Sequence, residues 1–178
     1  QVYLMATSTV YPRARSATGT VFTDDRTALG PRMGRHLMDC QIVNLHCVDR
    51  FVDYRAFFRA APRGGRIVWT LHDMNPFTGG CHYDGGCGSF VARCGACPQM
   101  ESSRARDVSR RIWRRKRTAF SYLSPDQMHI IAPSRWLAQE AGRSSLLGRF
   151  PVSVIPNGLD TCVFAPRPRE LARQALEI

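Results

Sequence analysis

Two sets of residues in this 178-residue chain have types and spacings suited to chemistry. The first is Cys81, Cys87, Cys94 and Cys97, in the pattern C-x5-C-x6-C-x2-C. A CxxC pair flanked by Gly and Pro lets two thiolates hold one ion from a tight turn. The spacing predicts a structural zinc on four thiolates, with His82 as a substitute ligand. Two disulfides, an iron–sulfur cluster and free thiols are the alternatives, and the spacing matches neither common ferredoxin pattern. A closed four-thiolate site has no open coordination position, so it would shape a loop rather than react. Cys40, Cys47 and Cys162 show no ligand spacing and read as small buried hydrophobes.

The second set is histidine-based. His72 and Asp73 follow the apolar run "IVWTL". A histidine there can donate to a sugar hydroxyl or a phosphate, or act as a base, with Asp73 orienting its ring. The plain alternative is a histidine satisfied by backbone. His46 closes the run "QIVNLH" in the same way.

These residues need a frame. Residues 41–46, 66–72, 128–134 and 152–158 read as short buried strands. Residues 52–62 have apolar positions at helical spacing, stopped by Pro62 and two glycines. Residues 107–123 predict a helix with Ile112, Trp113, Phe120 and Leu123 inward and arginines outward. Ser134 can cap a third helix that Gly142 would close, and a fourth begins near residue 167. A short helix is expected over residues 31–38, after an irregular stretch at 1–28. Strands alternating with helices predict an α/β, Rossmann-like parallel sheet with a Cys-rich loop inserted after the second strand. Ligands in such sheets bind at the carboxyl ends of the strands, where His46, His72, Ser134 and Asn157 all fall.

Composition narrows the partners. The net charge is +11, from 25 Lys+Arg against 14 Asp+Glu. The basic block "RRIWRRKR" reads as a solvated helix face, as a patch for an anionic membrane surface, or as a nucleic-acid contact. An arginine-rich composition inherited from GC-rich coding sequence is the bland alternative. No apolar run reaches the ~20 residues of a membrane span. No leader pattern opens the chain, so a cytoplasmic, reducing setting is expected. The start at Gln1 suggests a piece of a longer protein.

In order, "DCQIVNLHCV", "IVWTLHDMNPFTGGCHY", "CGACPQ", "APSRWLA" and "VIPNGLDTCVFAP" resemble the retaining GT-B glycosyltransferases of family 4. The likeness is strongest to the bacterial branch that builds exopolysaccharide and lipopolysaccharide chains, and it covers residues 38–178. The resemblance implies an enzyme of two Rossmann-like halves, the first holding the acceptor and the second a nucleotide-sugar donor. Residues 1–151 would be part of the acceptor half, with the insert at 79–100. Residues 152–178 would be the linker and the start of the donor half.

The resemblance further implies hexosyl transfer, with retention, to a saccharide or lipid-linked acceptor at the inner face of the plasma membrane. It places His72 opposite the donor sugar, with Asp73 beside it. Asn157 and Gly158 match the turn that opens the second half, and His46 and Ser134 complete the substrate-binding set. Three departures follow. The glycine-rich loop after the first strand is not visible. The basic residues and glutamate pair that hold the donor lie outside the chain, so this piece alone is expected to be inactive. Cys47 stands where the branch often has Trp. A zinc-stabilised nucleic-acid module and a non-catalytic remnant are the competing readings, and no nucleic-acid partner is expected on the first.

Overall fold

A computed structural model of the chain describes residues 21–27, 40–61 and 64–178. Four strands form one sheet, β1 (Ile42–His46), β2 (Arg66–Thr70), β3 (Met128–Ala132) and β4 (Val152–Val154), in the order β1-β2-β3-β4. All three pairings are parallel. Register runs from Ile42 opposite Arg66 to His46 opposite Thr70, then Ile67 opposite Met128 and Ile130 opposite Val152. Parallel neighbours need crossovers. Helices α1 (Tyr54–Ala60), α2 (Val108–Phe120) and α3 (Arg135–Arg143) supply them. The α/β, Rossmann-like architecture read from the sequence is the one observed.

Each of these three helices begins where a side-chain oxygen can take an unpaired backbone amide. Asp53 accepts from Ala56 N, Asp107 from Arg110 N and Ser134 from Leu137 N. The core forms where α1 and α2 lie on the sheet. Trp69 of β2 meets Tyr54, Phe58 and Phe120, with ring centroids 5.3, 5.8 and 6.0 Å away. Burying each such ring contributes roughly 1.5–3 kcal/mol.

Several expectations need correction. The strands are shorter than the apolar runs, and in β1 only Leu45 is buried. Gly142 lies inside α3, and Ser144 terminates it. Cys40, Cys47 and Cys162 are exposed thiols rather than buried packing residues. The helix expected at 31–38 lies outside the described residues, as does most of the stretch at 1–28. The final helix, α4 (Arg169–Leu176), buries no residue, and positions 154–178 are exposed throughout. Among the described residues, no helix is long and apolar enough to cross a membrane.

Candidate active site

The carboxyl ends of β1 and β2 are neighbours, so their histidines meet. His46 Nδ1 lies 3.0 Å from His72 Nε2, with ring centroids 5.3 Å apart. One ring donates and the other accepts. This leaves His46 Nε2 and His72 Nδ1 without a protein partner among the described residues. A narrow crevice beside them is lined by Cys47, Asp49, Tyr54, Thr70, His72 and Asp73, among others. Cys47 turns the chain out of β1 with a φ of 40°, a left-handed conformation uncommon outside glycine.

Asp73 makes no hydrogen bond to the His72 ring. Its Oδ1 accepts from Asn75 N at 2.8 Å, and its Oδ2 lies 2.6 Å from His82 Nδ1. His82 Nε2 is 3.0 Å from Thr23 Oγ1, which accepts from Asn75 Nδ2 at 2.8 Å. The chain Asn75–Thr23–His82–Asp73 is complete with the His82 proton on Nδ1. Beneath it lies Lys116, fully buried, donating to the Asn75 backbone and side-chain oxygens and facing the Tyr54 ring at 5.4 Å. Burial pulls its pKa down, against the pull of Asp25 in the other direction. Lys116 is the only lysine in the chain. That solitary lysine was the available sequence signal for this network, and the basic run around it concealed it.

The remaining expected residues divide. Ser134 sits just past the end of β3, and its hydroxyl oxygen accepts the α3 cap bond from Leu137 N. Asn157 and Gly158 are exposed, and a Cβ at Gly158 would meet nothing. Sequence reasoning missed a stacked aromatic pair at this edge. Tyr83 of the insert and Trp136 of α3 lie 6.2 Å apart at an interplanar angle of 20°. They stay 55% and 48% exposed. The edge position of "SRW" could have marked Trp136, but nothing in the insert marked Tyr83 as its partner.

The zinc expectation is not supported. Among the described residues, no group of three or more His, Cys, Asp or Glu side chains is arranged to hold a metal ion. Burial pushes the Cys81 thiol up to about 11 and Cys94 up to about 12, and the charges of the neighbouring thiols push the same way. Cys81 and Cys97 instead pack as apolar groups with Phe22 and Ile112. Cys94 Sγ accepts from Gly79 N at 3.1 Å. Cys81, Cys87, Cys94 and Cys97 are not joined by disulfides, so the two-disulfide alternative is not observed. His82, the substitute ligand, is occupied by Asp73 and Thr23.

The insert holds its shape by contacts from outside and by backbone bonds. Phe90 meets Phe77 edge to face at 5.5 Å, and Cys97 N donates to Asp107 Oδ2 at 2.8 Å. Gly79 is required, because a Cβ there would lie 2.5 Å from Ser109 O.

A parallel sheet with paired histidines at its carboxyl edge is compatible with many reactions, and comparison with known proteins decides the family. The sequence profile of Glycosyltransferase Family 4 matches residues 11–162. The chain belongs to glycosyltransferase family 4. Within the family's wider kin, it is 28% identical over 140 residues to WcaC of Escherichia coli (strain K12), whose name assigns it to glycosyl transfer in colanic acid biosynthesis. The match covers 78% of this chain and 33% of WcaC. The chain therefore spans about a third of the length of the curated relative it matches. No solved structure matches.

Proposed function

We propose that this chain is the acceptor-side portion of a glycosyltransferase that moves a hexosyl group, with retention, from a nucleotide-sugar donor to a hydroxyl of a saccharide or lipid-linked acceptor. Residues 1–151 form the acceptor half, and 152–178 lead into the donor half. The complete exposure of positions 154–178, with Ile155, Leu159, Val163, Phe164 and Leu171 in water, supports a segment that packs against a part not included here.

The observation that carries the reading is the His46–His72 pair, with one free nitrogen on each ring, at the carboxyl edge of adjacent parallel strands. In this reading His72 Nδ1 contacts the donor sugar. His46 fixes the His72 ring from the other side. Asp73 acts through the backbone: held by His82 and Asn75, it fixes the turn that follows His72. Asn157 and Gly158 form the passage between the halves, and Ser134 contributes the start of α3 rather than a contact to ligand. The exposed Tyr83–Trp136 pair offers a flat apolar face on which an acceptor ring can rest. Its two residues come from two separate elements of the same edge.

The test uses the complete enzyme in which this portion resides. Incubation with a panel of nucleotide hexoses and a saccharide acceptor should release nucleoside diphosphate only when acceptor is present. The product should keep the donor's anomeric configuration by proton NMR. Inversion, or the absence of transfer from every donor, would remove the proposal. Trp136→Ala should raise KM for the acceptor about tenfold with kcat nearly unchanged, as loss of uniform binding does.

A further inference from the structure

A groove of about 660 Å³ lies between the insert and the start of α2. It shares no lining residue with the crevice beside His72. Its walls carry Arg93, Arg106, Arg110, Arg111 and Arg114. The backbone builds it. Gly95 has a φ of 143°, and a Cβ there would lie 2.5 Å from Ala105 O, so only glycine lets the two segments approach. Ala96 N then donates to Arg104 O at 3.0 Å. Asp107 caps α2 and aligns Arg110, Arg111 and Arg114 within a turn of one another.

Among the described residues, no carboxylate pairs with these arginines. Arg93, Arg106, Arg111 and Arg114 make no side-chain hydrogen bond or ion pair among the described residues. Arg110 reaches Cys94 O at 3.5 Å and lies over the Trp113 ring at 5.0 Å. The nearby carboxylate of Asp107 is already committed to Cys97 N, Ser109 and Arg110 N. Partial burial and the charges of Arg93, Arg114 and Arg117 hold Arg110 below the ordinary arginine value. Gathering five guanidiniums costs free energy that a multivalent anion offsets. The planar fork of each matches phosphate in a two-point contact.

The shape decides between anions. A bilayer would meet a flat basic face with apolar residues to enter it. The outer face of α2 instead presents Arg111, Arg114, Arg117 and Thr118, with no apolar side chain. A concave site encloses a discrete group.

We propose that this groove binds the diphosphate, or a longer run of phosphates, of a small or substrate-borne ligand. The site stands on this chain's own arginines and does not depend on the glycosyl-transfer reading. The test is calorimetric titration of the full chain with inorganic pyrophosphate. We expect saturable binding of one pyrophosphate per chain that weakens as potassium chloride rises from about 50 to about 300 mM. Arg106→Gln/Arg111→Gln/Arg114→Gln should weaken it at least about tenfold, and Arg114→Gln alone about threefold, because each removes a charge-assisted contact. Arg55→Gln/Arg59→Gln on α1 should leave it unchanged. Three results would overturn the proposal. They are no saturable pyrophosphate binding, equal binding by parent and triple variant, and capture by phosphatidylglycerol vesicles or a DNA duplex that pyrophosphate does not displace.

Discussion

At the scale of single residues, the turn after His72 is held by side chains whose polar atoms are paired with one another. His82 and Asn75 hold Asp73, and Lys116 holds Asn75. Lys116 is fully buried, so truncating it takes the ammonium donor from Asn75 Oδ1, leaves the Asn75 backbone oxygen to Thr78 alone, and removes the positive charge beside Asp25. Lys116→Met should therefore cost about 3–5 kcal/mol in urea unfolding, the range for breaking a buried charged contact. Lys116→Arg should not restore stability, because a planar fork does not fit a slot shaped for one ammonium. Parent-like stability in either variant would show that the network does not hold the turn.

The same scale separates the cysteine spacing from the packing around it. Glycine-rich sequence with a CxxC carries the ligand spacing of a metal loop, and nothing in the one-dimensional pattern reveals Phe22 or Ile112 packing against it. A direct check is thiol titration. The exposed Cys40, Cys47, Cys87 and Cys162 should react at once, and Cys81, Cys94 and Cys97 only on unfolding. One mole of zinc per chain, with four thiols protected, would support the four-thiolate site instead.

At the scale of elements, α2 and the insert are joined through one carboxylate. Asp107 caps the helix, takes Ser109 Oγ at 2.6 Å and takes Cys97 N from the insert. Burial raises the Asp107 pKa, but these hydrogen bonds outweigh it and hold the group below its ordinary 3.8. A group depressed in the folded state binds its proton more weakly there than when unfolded. Its stabilisation is therefore present above pH 3.8 and is lost as pH falls through the lower folded value. Asp107→Ala should cost about 1–2 kcal/mol at neutral pH, as a lost cap does. As pH falls below 3.8, the difference between variant and parent in thermal unfolding should shrink. A constant difference down to pH 2 or so would mean that the carboxylate's charge is not what matters.

The elements were also the most legible part of the sequence. Short apolar runs ending in His46 and His72 marked β1, β2 and their shared edge. Asp107 and Ser134 marked helix starts. The link from Asp73 to His82 was not legible. It runs through a 3-10 turn at Asn75–Phe77 and a glycine at φ 125°, and neither leaves a repeating pattern. The Tyr83–Trp136 pair was hidden for the same reason, since its partners come from an irregular insert and a regular helix.

At the scale of the whole molecule, the described core ends near Phe150. Beyond β4 the chain makes no buried contact. Limited proteolysis should cut first within residues 155–168. A chain ended at residue 154 should unfold within a few degrees of the full one, since regions without buried contacts contribute little to global stability. Protection of that segment, or a large drop in the midpoint on its removal, would mean that it packs on this half after all. The same boundary gives the proposed division of labour its physical form: a folded edge bearing two histidines, followed by an unpartnered lead into the donor half.

The most direct measurement is the transfer rate of the complete enzyme carrying His72→Ala, at saturating donor and acceptor. If His72 Nδ1 contacts the donor sugar as it reacts, kcat should fall by about a hundredfold or more, while KM for the acceptor and the unfolding midpoint hold steady. Turnover equal to the parent in the folded variant would contradict the account.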